Sequence, residues 1–445
     1  MGTDLIRWLA RAICWIFYRV DREGAVPADG PVLILPNHPN ALLDPAVIWA
    51  TAGRDVRFLA KSTLFDGAFA PILRMSRAIP VYRRFDQGVD PSRNSETFAA
   101  VDAALADGSA VCLFPEGVSH STGRLVALRT GAARMALTAE RRGVAVTLVA
   151  VGLNFDRKAA FRSRAIVLYG RPFSLGRIAA DQDEQAAVRL ATDAIAGEMR
   201  RLLVETDPER DASMVARVER LYGAARGRPQ RPHERVARRQ AIARGMERLR
   251  VRDQPRFEEI AQRLRRYDQR LQRFGLRDRH LDWDLSLQTA AWFALREALA
   301  ALVLGPIAVA GLVLFWVPYH LTAILARLAT RERDVAATAT VFVGAGTYVA
   351  WLLVVATVAW QAGGPRIGLL TAAALPLIAV AALFAIERET AVVETVRAWW
   401  MLRRAKAGTR ARLRDARSEL AAVLDETYEW LSAETPAPAD ARMPN

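Results

Sequence analysis

"GPVLILPNHPNALLDP" covers residues 30–45 and changes character at its centre. Residues 30–35 are a short apolar run of the kind that forms a buried strand. Pro36 and Asn37 interrupt it, and the next stretch carries His38 and, six residues on, Asp44 followed by Pro45. A residue before proline is disfavoured in helical geometry, which suits Asp44 to an N-cap with Pro45 at the first helical position. The segment therefore predicts a strand, a loop bearing His38, and a helix beginning at Asp44. On a straight helix two side chains six residues apart point to different faces, so they meet only if the loop curls back.

Similar apolar runs follow at 56–60, 78–82, 110–114, 144–153 and 165–170, and helix-like stretches such as 95–108 separate some of them. Strands alternating with helices predict an α/β domain with a mainly parallel sheet and flanking helices. In such sheets the loops after the strands collect at one edge, where sites form. No G-x-G-x-x-G follows the first run and no G-x-x-x-x-G-K-[ST] is present, so neither dinucleotide nor P-loop chemistry is supported.

His38 beside Asp44 suits general-base work. A carboxylate holding one ring nitrogen steadies the imidazolium that forms when the other takes a proton. "GVSHS" (117–121) lacks the second glycine of a nucleophile elbow, so direct attack by a substrate hydroxyl is the expected chemistry. Taken alone, the pair could equally be a plain cap and a loop histidine. Two further strand ends change the weighing. "AIPVYRR" (78–84) places Arg83 after one run, and "LFPEGVSHS" (113–121) places Glu116 and Gly117 after another. An arginine suited to phosphate and a second acid beside a base fit an anionic substrate with a hydroxyl.

The blocks "NHPNALLD", "AIPVYR", "FPEG" and "LVAVGLNF", with "AKSTLF", "LRTGAARMAL" and "YGRPF" in order among or after them, resemble the glycerolphosphate and lysophosphatidate acyltransferase family over residues 30–175. The resemblance implies that His38 is the base and Asp44 its partner. It also implies that Arg83 and Gly117 contact the acceptor's phosphate and that Glu116 contacts its polar groups. This sequence departs from the family pattern twice. His38 and Asp44 are separated by five residues instead of four, and Ser119 stands where an arginine follows FPEGT. Both departures resemble the fungal-type glycerol-3-phosphate/dihydroxyacetone-phosphate acyltransferases, which makes Ser119 and His120 candidate acceptor contacts. Lys61 and Arg124 are further sources of positive charge. The donor implied is an acyl thioester, acyl-CoA or acyl-carrier protein, and the acceptor a phosphorylated glycerol. No cofactor or metal is expected, since the five histidines show no ligand-like spacing. The implied pathway is phospholipid biosynthesis. A lysophosphatidate or other lysophospholipid acceptor is the alternative within the class, and an inactive membrane scaffold or transporter the alternative outside it.

Residues 298–326, 335–365 and 367–386 contain no Asp, Glu, Lys or Arg, and each is long enough to cross a bilayer. The expected order is an amphipathic, membrane-interfacial helix (1–25), the acyltransferase domain (26–205), a basic helical region (206–290), membrane segments (291–387) and a cytoplasmic helical tail with a disordered end (388–445). The net charge is +15, and residues 208–280 hold 21 arginines against 10 acidic residues. Beside membrane segments this excess is expected to face anionic headgroups, or simply solvent, and not nucleic acid, for which no reading motif is visible. Keeping all basic loops on the cytoplasmic side needs an even number of crossings. Gly305-Pro306 and Pro318 suggest that 298–326 is a broken, re-entrant segment, with 335–365 and 367–386 crossing as a pair. Cys14 and Cys112 form no metal or disulfide pattern.

Overall fold

The apolar run after Gly30 becomes the strand from which the catalytic-type domain is built. A computed structural model describes residues 2–67, 69–82, 90–176, 183–227, 231–283, 286–329, 336–404 and 408–433. It divides into two units, the first running to Ala216 and including the starts of two later helices. In chain order the first unit contains α1 (Gly2–Phe17), β1 (Tyr18–Glu23), β2 (Val32–Pro36), α2 (Leu43–Thr51), β3 (Val56–Lys61), α3 (Ala70–Met75), β4 (Ile79–Val81), α4 (Asn94–Ala106), β5 (Ala110–Cys112), α5 (Gly131–Arg141), β6 (Thr147–Phe155), β7 (Ser163–Tyr169) and α6 (Glu184–Arg201).

The described strands form one sheet in the order β1-β7-β6-β2-β5-β3-β4. Only β6 and β7 are antiparallel, and every other pairing is parallel. The expected mainly parallel sheet with flanking helices is therefore present, with one antiparallel pair added. β2 lies between β5 and β6, and all five of its residues are buried. Its alternation splits the core in two. Leu33 and Leu35 pack with α4, α5 and α6, while Val32 and Ile34 pack with α2 and Cys14 of α1. An uninterrupted apolar run is what a strand covered on both faces requires.

β1 was not among the expected strands. Its sequence "YRVDRE" is charged because it is an edge strand whose acids have partners. Arg235 lies 3.1 Å from Asp21, and the backbone N–H of His233 donates to Glu23 at 2.9 Å. The strand also makes the N-terminal helix part of the domain instead of a separate segment. α1 buries Ile6, Ala10, Cys14 and Phe17 and exposes Leu5, Trp8, Leu9, Trp15 and Ile16.

The second unit is helical. Its elements come from α7 (Ala212–Arg226), α8 (Pro232–Arg252), α9 (Gln254–Arg273), α10 (Leu287–Ala329), α11 (Ala336–Arg404) and α12 (Thr409–Ala433), the first parts of α7, α8 and α11 belonging to the first unit. α9 buries Ala261, Leu264, Tyr267 and Leu271 at helical spacing. Arg217 of this basic region and Arg417 of the tail serve the unit's own interior. Arg217 pairs with Asp278 at 2.7 Å, and Arg417 binds both oxygens of Asp282 at 2.8 Å.

α10 and α11 are long and apolar enough to cross a membrane, and most of their apolar surface is exposed within the unit. α11 is two helices meeting at Gly364, whose φ of 81° favours glycine. A Cβ at Gly368 would fall 2.7 Å from that of Trp360, so the arms approach closely beside the bend. The paired segments expected at 335–365 and 367–386 correspond to these arms.

The break expected in 298–326 does not occur, because α10 continues through Pro306 and Pro318. The reason is visible at Pro318. Having no N–H, it leaves the carbonyl of Leu314, four residues back, without its helical donor. Trp351 Nε1 donates to that oxygen at 2.9 Å. Trp351→Phe is accordingly expected to destabilise the second unit by about 0.5–1.5 kcal/mol, the net worth of one hydrogen bond. Adding Pro318→Ala restores the helical N–H and should recover most of that loss. Thermal melting of the detergent-solubilised protein checks this, and a loss unaffected by Pro318→Ala would contradict it.

Candidate active site

β2, β5, β3 and β4 run parallel, so the loops that follow them emerge at one edge of the sheet. His38 stands two residues beyond the end of β2. Asn37 fixes the departure, its side chain donating to Leu153 O at 3.1 Å and accepting from Leu153 N at 2.7 Å. The chain then reverses over residues 39–42, with Leu43 N bonded to Asn40 O and Ala41 at a φ of +46°. A non-glycine residue in this region is held there by its surroundings.

The reversal brings the predicted pair together. His38 Nδ1 lies 2.8 Å from Asp44 Oδ2, which also accepts from the backbone N–H of Asn40 at 2.7 Å. Asp44 is not the N-cap that its position before Pro45 suggests. α2 begins at Leu43, and Leu42 caps it without a side-chain bond. The preference against helical geometry before proline is outweighed here by the two bonds to the carboxylate. Pro45 falls within the first helical turn, where a missing N–H costs nothing. The side chain of His38 is 13% exposed and that of Asp44 fully buried. The imidazole stacks on Phe114, with ring centres 4.0 Å apart. With Nδ1 committed to Asp44, Nε2 is the nitrogen left to accept a proton. Burial raises the Asp44 pKa above the ordinary carboxylate value, and the bond and charge of His38 oppose that rise.

The loop after β5 supports this arrangement. Gly117 adopts a φ of 74° in a turn in which its N–H donates to Phe114 O at 3.0 Å. The turn sends the buried Glu116 inward, where Oε2 accepts from His38 N at 2.7 Å. Glu116 Oε1 sits 3.0 Å from His120 Nε2, near but not aligned as a hydrogen bond. Ser119 Oγ accepts from Ala41 N at 3.0 Å, and His120 N donates to His38 O at 3.1 Å. Glu116, Gly117, Ser119 and His120 are thus brought to the His38 loop as the sequence suggests. The bonds of Glu116 and Ser119 brace the His38 loop, whose backbone N–H groups need partners.

Lys61 ends β3, paired in register with Val81 of β4. Arg83, two residues beyond Val81, lies outside the described residues. Arg124 lies in the same loop as His120 and is exposed. Among the described residues no group of three or more His, Cys, Asp and Glu is placed to hold a metal ion. Sequence reading missed Asn40, whose N–H reaches Asp44 and which is fully buried, and Lys158, whose Nζ donates to Pro39 O at 2.7 Å. The signal for Asn40 was its place between His38 and Asp44. Nothing in the sequence marked Lys158.

Residues 6–153 match the family model described as Acyltransferase, and residues 214–435 match that of the Glycerol-3-phosphate acyltransferase 2 C-terminal domain. Glycerol-3-phosphate O-acyltransferase 2 of Saccharomyces cerevisiae is 29% identical over 218 residues, 46% of this chain and 27% of the yeast protein. Glycerol-3-phosphate O-acyltransferase 1 of the same yeast is 30% identical over 125 residues, 26% of this chain and 16% of that protein. The chain thus spans less than a third of the length of either yeast protein. The crystal structure of the 1-acyl-sn-glycerophosphate acyltransferase PlsC from Thermotoga maritima aligns with 45% of this chain and 79% of its own at 16% identity and a TM-score of 0.34.

The electrostatics of Asp44 generate a stability prediction. A carboxyl whose folded pKa is raised costs stability as pH rises through that value, and the cost vanishes below its unfolded pKa. Asp44→Asn keeps an oxygen for His38 and Asn40 and removes the buried charge. It is expected to melt at the same temperature as the parent or higher at pH 7, with any difference shrinking as the pH falls. Melting curves across pH 4–8 check this, and a large destabilisation at neutral pH would contradict it.

Proposed function

We propose that this chain, whose residues 6–153 match the Acyltransferase family model and 214–435 that of the Glycerol-3-phosphate acyltransferase 2 C-terminal domain, moves a fatty acyl group from acyl-CoA or acyl-carrier protein to a hydroxyl of glycerol-3-phosphate or dihydroxyacetone phosphate, in glycerolipid synthesis. The observation that carries this is the His38–Asp44 dyad, with Nδ1 bound to a fully buried carboxylate. His38 Nε2 takes the proton of the acceptor hydroxyl as its oxygen bonds to the thioester carbonyl carbon. Asp44 steadies the imidazolium. The carbon–sulfur bond then breaks, and the leaving thiolate takes the proton back from His38. No acyl-enzyme intermediate and no cofactor or metal enters this sequence.

In this reading Arg83 and Lys61 meet the acceptor's phosphate, Arg124 adds charge, and the Glu116–His120 loop sets the position of the base. The protein acts at a membrane. α10 and the two arms of α11 cross it, an odd number that carries the tail, expected in the cytoplasm, to the opposite side, and the exposed apolar face of α1, with Trp8 and Trp15, lies at its interface. The domain bearing His38 faces the cytoplasm, the side favoured by the arginine-rich region that follows it.

The test is acyl transfer by the purified protein from labelled acyl-CoA to glycerol-3-phosphate, dihydroxyacetone phosphate and lysophosphatidate in parallel. One of the first two is expected to be the best acceptor, and His38→Ala should lower kcat by about 10²–10⁴-fold, the usual contribution of a general base. A folded His38→Ala protein retaining most activity would sink the mechanism, and a clear preference for lysophosphatidate would reassign the acceptor.

Arg83→Ala is expected to raise KM for the phosphorylated acceptor well above tenfold while leaving KM for acyl-CoA nearly unchanged, since a charge-assisted contact is worth about 1.5–3 kcal/mol. Steady-state kinetics with each substrate varied decides this, and equal effects on both constants would remove Arg83 from the acceptor site.

A further inference from the structure

Lys158 belongs to none of the motifs, yet it is placed between the two loops that make the site. It lies in the loop joining β6 to β7, half-buried. Its Nζ donates to the carbonyl of Pro39, the residue after His38, at 2.7 Å, and also to Ser121 Oγ, one residue beyond His120. One ammonium thus ties the loop after β2 to the loop after β5.

The loop that carries Lys158 is fixed at its base. Asp156 N donates to Arg164 O at 3.0 Å, Arg157 N to Ser163 Oγ at 3.0 Å, and Arg162 N to Phe17 O at 2.7 Å. The Phe161 ring packs edge-on against Phe17. The backbone carbonyl of Lys158 accepts from Tyr18 OH, and Tyr18 OH accepts in turn from Asn40 Nδ2 at 2.6 Å. Tyr18 and Asn40 are 1% and 0% exposed. Asn40 N then closes the circuit on Asp44. The His38 loop is therefore held from Lys158 at Pro39 and from Tyr18 at Asn40. A surface lysine with a solvated head would not show this pattern. Lys158 also adds a favourable charge to the ionised Asp44 carboxylate.

We propose that Lys158 is a positioning residue of the acyl-transfer site: it holds the His38 loop against the Glu116–His120 loop and touches neither substrate. This rests on His38 being the base, and it adds a residue that acts through the geometry of that base. A displacement of about 1 Å at a reacting group can cost on the order of 10²-fold in rate, and Ala41, strained in the middle of the loop, is poorly placed to hold the turn unaided.

The experiment uses the full chain in detergent micelles with Lys158→Met and Lys158→Arg. Lys158→Met is expected to lower kcat by about 10- to 100-fold with KM for both substrates within about twofold, and Lys158→Arg to restore most of the loss. Hydrogen–deuterium exchange should accelerate over residues 38–41 and at 120 in Lys158→Met and return to the parental rate in Lys158→Arg. The parent amides of His38, Asn40, Ala41 and His120 are all hydrogen-bonded within the two loops. A raised acceptor KM with unchanged kcat would make Lys158 a substrate ligand and overturn the proposal. So would a kcat loss with unchanged exchange, or no change in either. Should Lys158→Met fail to fold, Tyr18→Phe, which removes the hydroxyl linking Lys158 to Asn40, is expected to give the same split to a lesser degree, and its absence would be equally contrary. If the parent transfers no acyl group, the functional reading fails by itself, because the exchange measurement reads the loops without turnover.

Discussion

A carboxylate with no exposed surface has to be held by donors, and the site is organised around meeting that demand at Asp44. His38 Nδ1 and Asn40 N supply two bonds to one oxygen. To deliver them the chain must reverse within residues 39–42, which forces Ala41 into a conformation that few side chains adopt. The reversal leaves more backbone donors, and Glu116 and Ser119 accept from them. The stacking of His38 on Phe114 follows from the same fold-back, since Phe114 leaves β5, the strand hydrogen-bonded beside β2. Remove the acceptor oxygen at 44 and the reasons for the turn, for the buried glutamate and for the orientation of the imidazole weaken together.

The sheet supplies what the dyad cannot. Parallel neighbours place successive loops at one edge, so the ends of β2 and β5 meet although residues 38 and 116 are far apart in sequence. The single antiparallel pair, β6 with β7, returns the chain through the short loop that carries Lys158, and β1 beside β7 brings Tyr18 to the same place. The N-terminal helix and strand thus support the site as well as closing the edge of the domain.

Much of this was legible in the sequence, for physical reasons that can be named. β2 declared itself because a strand covered on both faces is continuously apolar, and His38 and Asp44 because their residue types suit one another and little else. β1 was hidden because its acids pair with Arg235 and His233, more than two hundred residues away, so its pattern reads as loop. Asp44 was taken for a cap because local preference before proline points that way, and the bonds that override it are tertiary. The same holds at Pro318, where a local breaker is neutralised by Trp351 from another helix. Lys158 could not have been found, since its role depends on where two loops of other strands happen to lie. Glu116 and Ser119 were found for their position but not for their bonds to the His38 loop, because a motif names residues and not the direction in which their oxygens point.

The central claim is that His38 and Asp44 act as one unit. A double-mutant cycle tests it most directly, comparing kcat/KM for His38→Ala, Asp44→Asn and the pair. Residues that act through one another lose their effect together, so the double variant should be no slower than His38→Ala alone, within about twofold. Independent losses that multiply in the double variant would contradict the account, and would mean that the buried carboxylate and the imidazole serve the reaction separately.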